Sequence, residues 1–153
     1  FKPRTYVSPG FSGTLGYGFP TSLGVKIGNP ENHVVSINGD GGFLFGSNEL
    51  ATAVQHNIAT VTLVFNDGAY GNVKRSQIHS YGGRVIGTEL HNPDFVKYAE
   101  SFGAQAFRIN TPEELAEALK KGFDHNGPTL IEIPVGELPS PWHLMHLPRV
   151  RGI

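Results

Sequence analysis

Residues 33–42 read HVVSINGDGG: a β-branched apolar run that ends on a carboxylate, Asp40, set among glycines. A short continuous run of this kind reads as a strand buried on both faces, the mark of a parallel sheet. Asp40 then stands at the strand's carboxyl end, and two readings of it are open on this stretch alone. It can close an Asx-type turn on its own backbone, or it can bind a hard cation. The glycine-rich turn leaves backbone N–H groups open to an anion, which a lone carboxylate would repel. A divalent ion between the two removes the conflict, because Mg²⁺ takes one or two carboxylates together with phosphate oxygens.

A second run favours the cation. Val61 to Phe65 passes into NDGAYG at residues 66–71, so Asp67 also lies at a strand's carboxyl end, one crossover after Asp40. Two further strand-like runs follow, Ala104 to Ile109 and Thr129 to Ile133. Helical patterns lie at Tyr17 to Ile27, Ser47 to His56, Asp94 to Phe102 and Pro112 to Phe123. Thr111 is an N-cap for the last of these, with Pro112 at the first helical position and Glu114 three residues beyond the cap. Strands and helices alternating in this way predict an α/β fold: a three-layer doubly wound sheet, mainly parallel, with helices on both faces. Ligands of such sheets bind at the carboxyl ends of the strands, where both aspartates are placed.

Composition narrows the chemistry. The 153 residues carry a net charge of -1, which excludes the basic footprint of a nucleic-acid or membrane-surface binder. With no cysteine there are no disulfides, thiolate metal sites or Cys nucleophiles, and a reducing, cytoplasmic setting is expected. No apolar stretch approaches the roughly 20 residues of a membrane span, and no signal peptide is read. The seven histidines form no HExxH or other metal spacing. Ser47, Ser76 and Ser80 sit in no GxSxG elbow, and neither a P-loop nor a dinucleotide fingerprint is present. His143 and His146, in PWHLMHLPR, form either a lid or an ordinary packing tail. The start at Phe1 leads us to expect that residues 1–153 are one domain of a longer multidomain chain.

Leu23-Gly24, Pro30, Val35, Ile37, the run Gly39 to Gly42 and the later FNDGAYG together resemble the diphosphate-binding domain of thiamine diphosphate enzymes, within the acetolactate synthase and benzoylformate decarboxylase group. The resemblance implies that Asp40 and Asp67 bind Mg²⁺ through side chains and Ala69 through its carbonyl. It implies that Gly41, Gly42, Phe43, Tyr70 and Gly71 contact the diphosphate. Gly13 and Thr14 would meet the aminopyrimidine, with Leu15 wedged beneath the cofactor to fold it; without the resemblance, Leu15 reads as a core residue. Asn72 and Val73 would face the substrate. The family more often has Asn at the register of Asp67. An added charge about 6 Å from a phosphate costs roughly 3 kcal/mol at an effective dielectric near 20, which direct ligation would offset. Pyruvate decarboxylases carry Glu at the register of Val73, so its absence argues against that activity, although Val73 can simply pack a helix.

The implied activity is a 2-oxo acid lyase or carboligase. Its partner would be a pyrimidine-binding domain of the same or a neighbouring subunit, in a homodimer or homotetramer. That domain would supply the catalytic acid, so no catalytic acid or base is assigned here. The first strand and helix of the diphosphate-binding domain are expected upstream of Phe1. Two other readings stay open: a stand-alone or split-subunit cofactor-binding module without turnover, and a flavodoxin-like phosphate binder that shares only the fold.

Overall fold

The computed structural model describes residues 3–10 and 12–139; His143 and His146 lie outside them. The described strands are β1 (Val35–Gly39), β2 (Val61–Asn66), β3 (Gln105–Arg108) and β4 (Thr129–Pro134). They form one sheet in the order β1-β2-β4-β3, and every adjacent pair is parallel. Six helices accompany it: α1 (Gly18–Gly28), α2 (Asp40–Leu44), α3 (Leu50–Gln55), α4 (Gly71–Ser80), α5 (Phe95–Phe102) and α6 (Pro112–Asp124).

The expected doubly wound sheet is present, and its two faces are covered unequally. On one face α1, α2, α3 and α5 close a cluster of Phe19, Leu23, Phe43, Leu50, Ala53, Phe95 and Ala99 over Val64 and Leu130. On the other, α6 packs Ala118, Leu115 and Leu119 over Leu63, Ile131 and Ile133. The placement follows from one hand of crossover. The chain passes outward from β1 to β2 and on to β3 with its helices on the first face, then returns from β3 to β4 with α6 on the second.

Local sequence explains the helix ends. Thr111 Oγ1 accepts from the Glu114 N–H at 3.2 Å while Glu114 Oε2 accepts from the Thr111 N–H at 3.3 Å, the reciprocal cap that the sequence predicts. Asp94 caps α5 by accepting from the Lys97 N–H, and Gly103 ends that helix in the left-handed region at φ 92°. In α6, Gly122 lies so close to the sheet that an added Cβ would stand 2.9 Å from Val61 Cγ2 and 3.2 Å from Thr129 Cγ2. Gly122→Ala gains up to about 1 kcal/mol of helix propensity and loses about 1–3 kcal/mol to overpacking. A net loss near 1 kcal/mol is expected in denaturant unfolding.

Three expectations are corrected. Ser47 to His56 is not one helix: Ser47–Glu49 is a 3₁₀ turn, and the α-helix starts at Leu50. The stretch after Asn38 is not a bare glycine turn, because α2 begins at Asp40 itself. The first strand is not continuously buried. Ser36 and Asn38 point inward, with Asn38 Nδ2 donating to Ser36 Oγ at 2.8 Å. Val35 and Ile37 point outward, Ile37 at 70% exposure, because in the sheet of the described residues β1 stands at the edge, beyond the reach of α6.

Candidate functional site

β1 and β2 are neighbours in register, Gly39 opposite Phe65, so the loops that leave them start side by side at one edge of the sheet. Asp40 heads α2 and is 1% exposed, yet its carboxylate is held by both loops. Oδ1 accepts from the Gly41 N–H at 2.8 Å, and Oδ2 accepts from the Gly68 N–H of the second loop at 2.9 Å. Asp67 Oδ1 accepts from the Ala69 N–H at 3.2 Å, and its carboxyl lies within hydrogen-bonding and Coulombic reach of that of Asp40. The two side chains therefore converge, as the strand register requires.

That convergence is costly without a cation. The Asp67 carboxyl titrates above the ordinary carboxylate range because burial disfavours its charge and, next in size, Asp40 repels it. A carboxyl whose folded pKa is raised holds its proton more tightly in the folded state, so its ionisation subtracts stability as pH climbs past the ordinary value of 3.8. Asp67→Asn is accordingly expected to raise the unfolding midpoint of chelator-treated protein at neutral pH. The gain should fade as pH falls toward 3.8; a midpoint difference independent of pH would contradict a carboxyl held above its ordinary range by burial and by Asp40.

The second loop is clamped from above by a segment with no strand pattern of its own. The Tyr70 N–H donates to Thr88 O and the Leu90 N–H to Gly68 O, each at 2.8 Å, around a bridge between Ala69 and Glu89. Space for the loop depends on two glycines. A Cβ on Gly41 would stand 2.7 Å from Tyr70 Cδ1, and one on Gly71 would stand 2.7 Å from Asp67 Oδ2. α4 then starts at Gly71 with no side chain capping it. Asn72 and Val73 follow in its first turn, and Val73 is 53% exposed.

A third loop joins them. The Gly16 N–H donates to Gly42 O at 3.0 Å, tying residues 13–16 to the start of α2. Gly13 and Gly16 take φ of 55° and 83°, the left-handed region that favours glycine. Leu15 is not core: it is 47% exposed, with its Cδ2 3.7 Å from where a Gly42 Cβ would lie. A cavity of about 530 Å³ runs from Gly13, Leu15 and Gly42 along β1 past Ile37. It meets the aspartate pair only at its Gly39 and Gly42 end. Phe43 behaves differently from its neighbours, because its ring is fully buried between Phe19 and Phe95. Any contact it makes to a ligand comes from its main chain.

The residues that the sequence reading missed lie behind the carboxylates. Asn92 Nδ2 donates to Asp40 Oδ2 at 2.6 Å and to Asn66 Oδ1 at 2.8 Å. Asn66 Nδ2 donates to Glu132 Oε1 at 2.8 Å, and Arg108 closes the chain with Nε 2.9 Å from Glu132 Oε2. Glu132 is buried in the middle of β4, where its carboxyl is bonded by both Arg108 and Asn66. Its acceptor-only carboxylate fixes which way both amides point. In sequence, Asn92 reads as helix-start punctuation before Pro93 and Asp94, which conceals this role.

The donor set fits a small, hard divalent cation. Among the described residues no group of three His, Cys, Asp or Glu could hold a metal; the pair offers two carboxylates and leaves the remaining positions to backbone, ligand and water oxygens, as Mg²⁺ prefers. No described helix is long and apolar enough to cross a membrane.

Comparison with known proteins agrees with this geometry. The thiamine pyrophosphate enzyme family, in its C-terminal TPP-binding domain, matches residues 1–133. The chain is 43% identical over 136 residues to a probable acetolactate synthase large subunit of Methanocaldococcus jannaschii, covering 87% of this chain and 23% of that protein. It is 40% identical over 135 residues to the acetolactate synthase of Bacillus subtilis, covering 88% and 24%. Among solved structures, the thiamine diphosphate-dependent 4-hydroxybenzoylformate decarboxylase of Rhodococcus jostii RHA1 superposes with a TM-score of 0.78 at 31% identity, covering 84% of this chain and 24% of that one. The chain spans about a quarter of the length of the curated relatives it matches.

Proposed function

The chain belongs to the thiamine pyrophosphate enzymes, as their C-terminal TPP-binding domain, and on that premise we propose that it anchors the cofactor's diphosphate through one Mg²⁺ held by Asp40 and Asp67. The observation that carries this is the meeting of two carboxylates from successive strand ends, with Asp40 Oδ2 accepting from the Gly68 N–H of the loop that bears Asp67. The Ala69 carbonyl completes the protein's share of the coordination. In this reading Gly41, Gly42, Phe43 and Gly71 meet the phosphates through their main chain, and the Tyr70 ring, beside Gly41, walls the site.

When bound, the thiazolium supplies an electron sink for cleaving or forming a bond next to a carbonyl. The chain's own contribution is to neutralise charge and set shape. Leu15, half exposed and stationed beside Gly42, supports the cofactor's bend, while Gly13 and Thr14 present main-chain groups to the aminopyrimidine. Asn72 and Val73, at the open end of α4, line the substrate side. Val73 puts no carboxylate there, which suits a 2-oxo acid lyase or carboligase of the acetolactate synthase kind rather than a pyruvate decarboxylase.

The whole reaction needs more than this domain. Leu15, Ile37, Phe45 and Val73 are exposed apolar residues around the site, consistent with cover by a pyrimidine-binding domain of the same or a neighbouring subunit, in a dimer or tetramer that holds a catalytic acid. The cysteine-free composition suits a cytoplasmic setting. Calorimetry of the full-length protein with thiamine diphosphate, with Mg²⁺ and with chelator, tests the reading. Binding that requires the cation is expected, and equal binding in chelator would refute the clamp.

A further inference from the structure

Asp40 offers its two oxygens unequally. A carboxylate oxygen has two lone-pair directions, and both at Oδ2 are taken, by the Gly68 N–H at 2.9 Å and by Asn92 Nδ2 at 2.6 Å. Oδ1 has a single donor, the Gly41 N–H at 2.8 Å, which leaves one direction open. Asn92 has little freedom to release Oδ2. Its other amide hydrogen goes to Asn66 Oδ1, and Asn66 is fixed in turn by the buried Glu132 and Arg108. The backbone around it is fixed on both sides, by the Leu90 N–H on Gly68 O and by Asp94, which caps α5 and pairs with Arg108 at 2.8 Å. Asn92 Oδ1 is buried and takes no hydrogen bond from the described residues.

We infer that Asn92 is a positioning residue that selects the metal: by closing Oδ2 it restricts Asp40 to one-oxygen ligation through Oδ1. One oxygen per carboxylate suits Mg²⁺, which demands octahedral geometry at roughly 2.0–2.1 Å. Ca²⁺ is larger, takes about 6–8 oxygens and readily accepts both oxygens of one carboxylate. With Asn92 in place the site discriminates against Ca²⁺ by denying it the second oxygen. Without it, one of the two acceptor positions on Oδ2 would be open to a larger cation.

The inference rests on the metal role given above to Asp40, and the test separates the two. In the full-length protein with saturating thiamine diphosphate, the half-saturating concentrations of Mg²⁺ and Ca²⁺ are measured by calorimetry for the parent, Asn92→Ala and Asn92→Leu. The leucine variant keeps the volume and removes the unpaired carbonyl, so it reports even where alanine fails to fold. The parent is expected to favour Mg²⁺, and both variants to shift the Ca²⁺-to-Mg²⁺ ratio about tenfold toward Ca²⁺, the lower end of what removing a partner of a metal ligand costs in affinity. A purely structural role would change the midpoint of unfolding and leave that ratio alone. An unchanged ratio in folded variants that still require a cation overturns the inference and spares the clamp; a parent that binds cofactor equally in chelator overturns both.

Discussion

Asp40→Ala is expected to abolish cation-dependent cofactor binding, weakening it by more than about a hundredfold. The estimate starts from the roughly 10–100-fold that removing a mere partner of a metal ligand costs, and Asp40 is proposed as the ligand itself. The same substitution strips an acceptor from the N–H groups of Gly41 and Gly68 and from the Asn92 amide. Each donor left unpaired in a buried place costs about 1–3 kcal/mol, so some loss of stability accompanies the loss of binding. Calorimetry at a temperature where circular dichroism shows the variant folded separates the two. Binding within a few-fold of the parent would remove Asp40 from the metal.

Phe43→Ala is expected to cost about 3–5 kcal/mol, the range for emptying a buried aromatic position. Its ring centroid lies 5.3 Å from that of Phe19 and 5.9 Å from that of Phe95, joining α1, α2 and α5 into one core. For a domain of this size each kcal/mol moves the midpoint by about 2–4 °C, so a fall of roughly 10 °C in thermal unfolding follows. Saturating Mg²⁺ and thiamine diphosphate should restore part of it, because ligand that binds only the folded state stabilises it by mass action. In Asp40→Ala the same additions should restore nothing. The contrast distinguishes a residue that holds α2 in place from one that binds through it.

Much of this arrangement is legible in the residues. The apolar runs at 61–65 and 129–133 became β2 and β4 because both lie inside the sheet, where a strand needs no polar face. Thr111 and Glu114 specified their helix start by a local pairing that needs no tertiary partner. The aspartates could be placed at neighbouring strand ends from one crossover alone. What escaped depends on neighbours remote in sequence. Val35 and Ile37 look like core by composition, and only the strand order puts them at the edge of the described sheet. Leu15 looks like core by residue type alone; the family resemblance, not the local pattern, sets it apart, and it is 47% exposed. Asn92 and Glu132 come from segments far along the chain, and nothing periodic marks a polar residue whose partners are a loop and a buried ion pair. The segment 88–90 gives no strand signal because its pairing with the Asp67 loop is a single bridge.

The central claim is that the Asp40 and Asp67 carboxylates close on one divalent ion that carries the cofactor's diphosphate. Anomalous diffraction from crystals of the full-length protein grown with Mn²⁺ in place of Mg²⁺ and with thiamine diphosphate tests it most directly. One anomalous peak is predicted, in ligand contact with Asp40 Oδ1, with an Asp67 oxygen and with the diphosphate. A cofactor seated with its diphosphate away from both aspartates, or a manganese peak that touches neither, would contradict it.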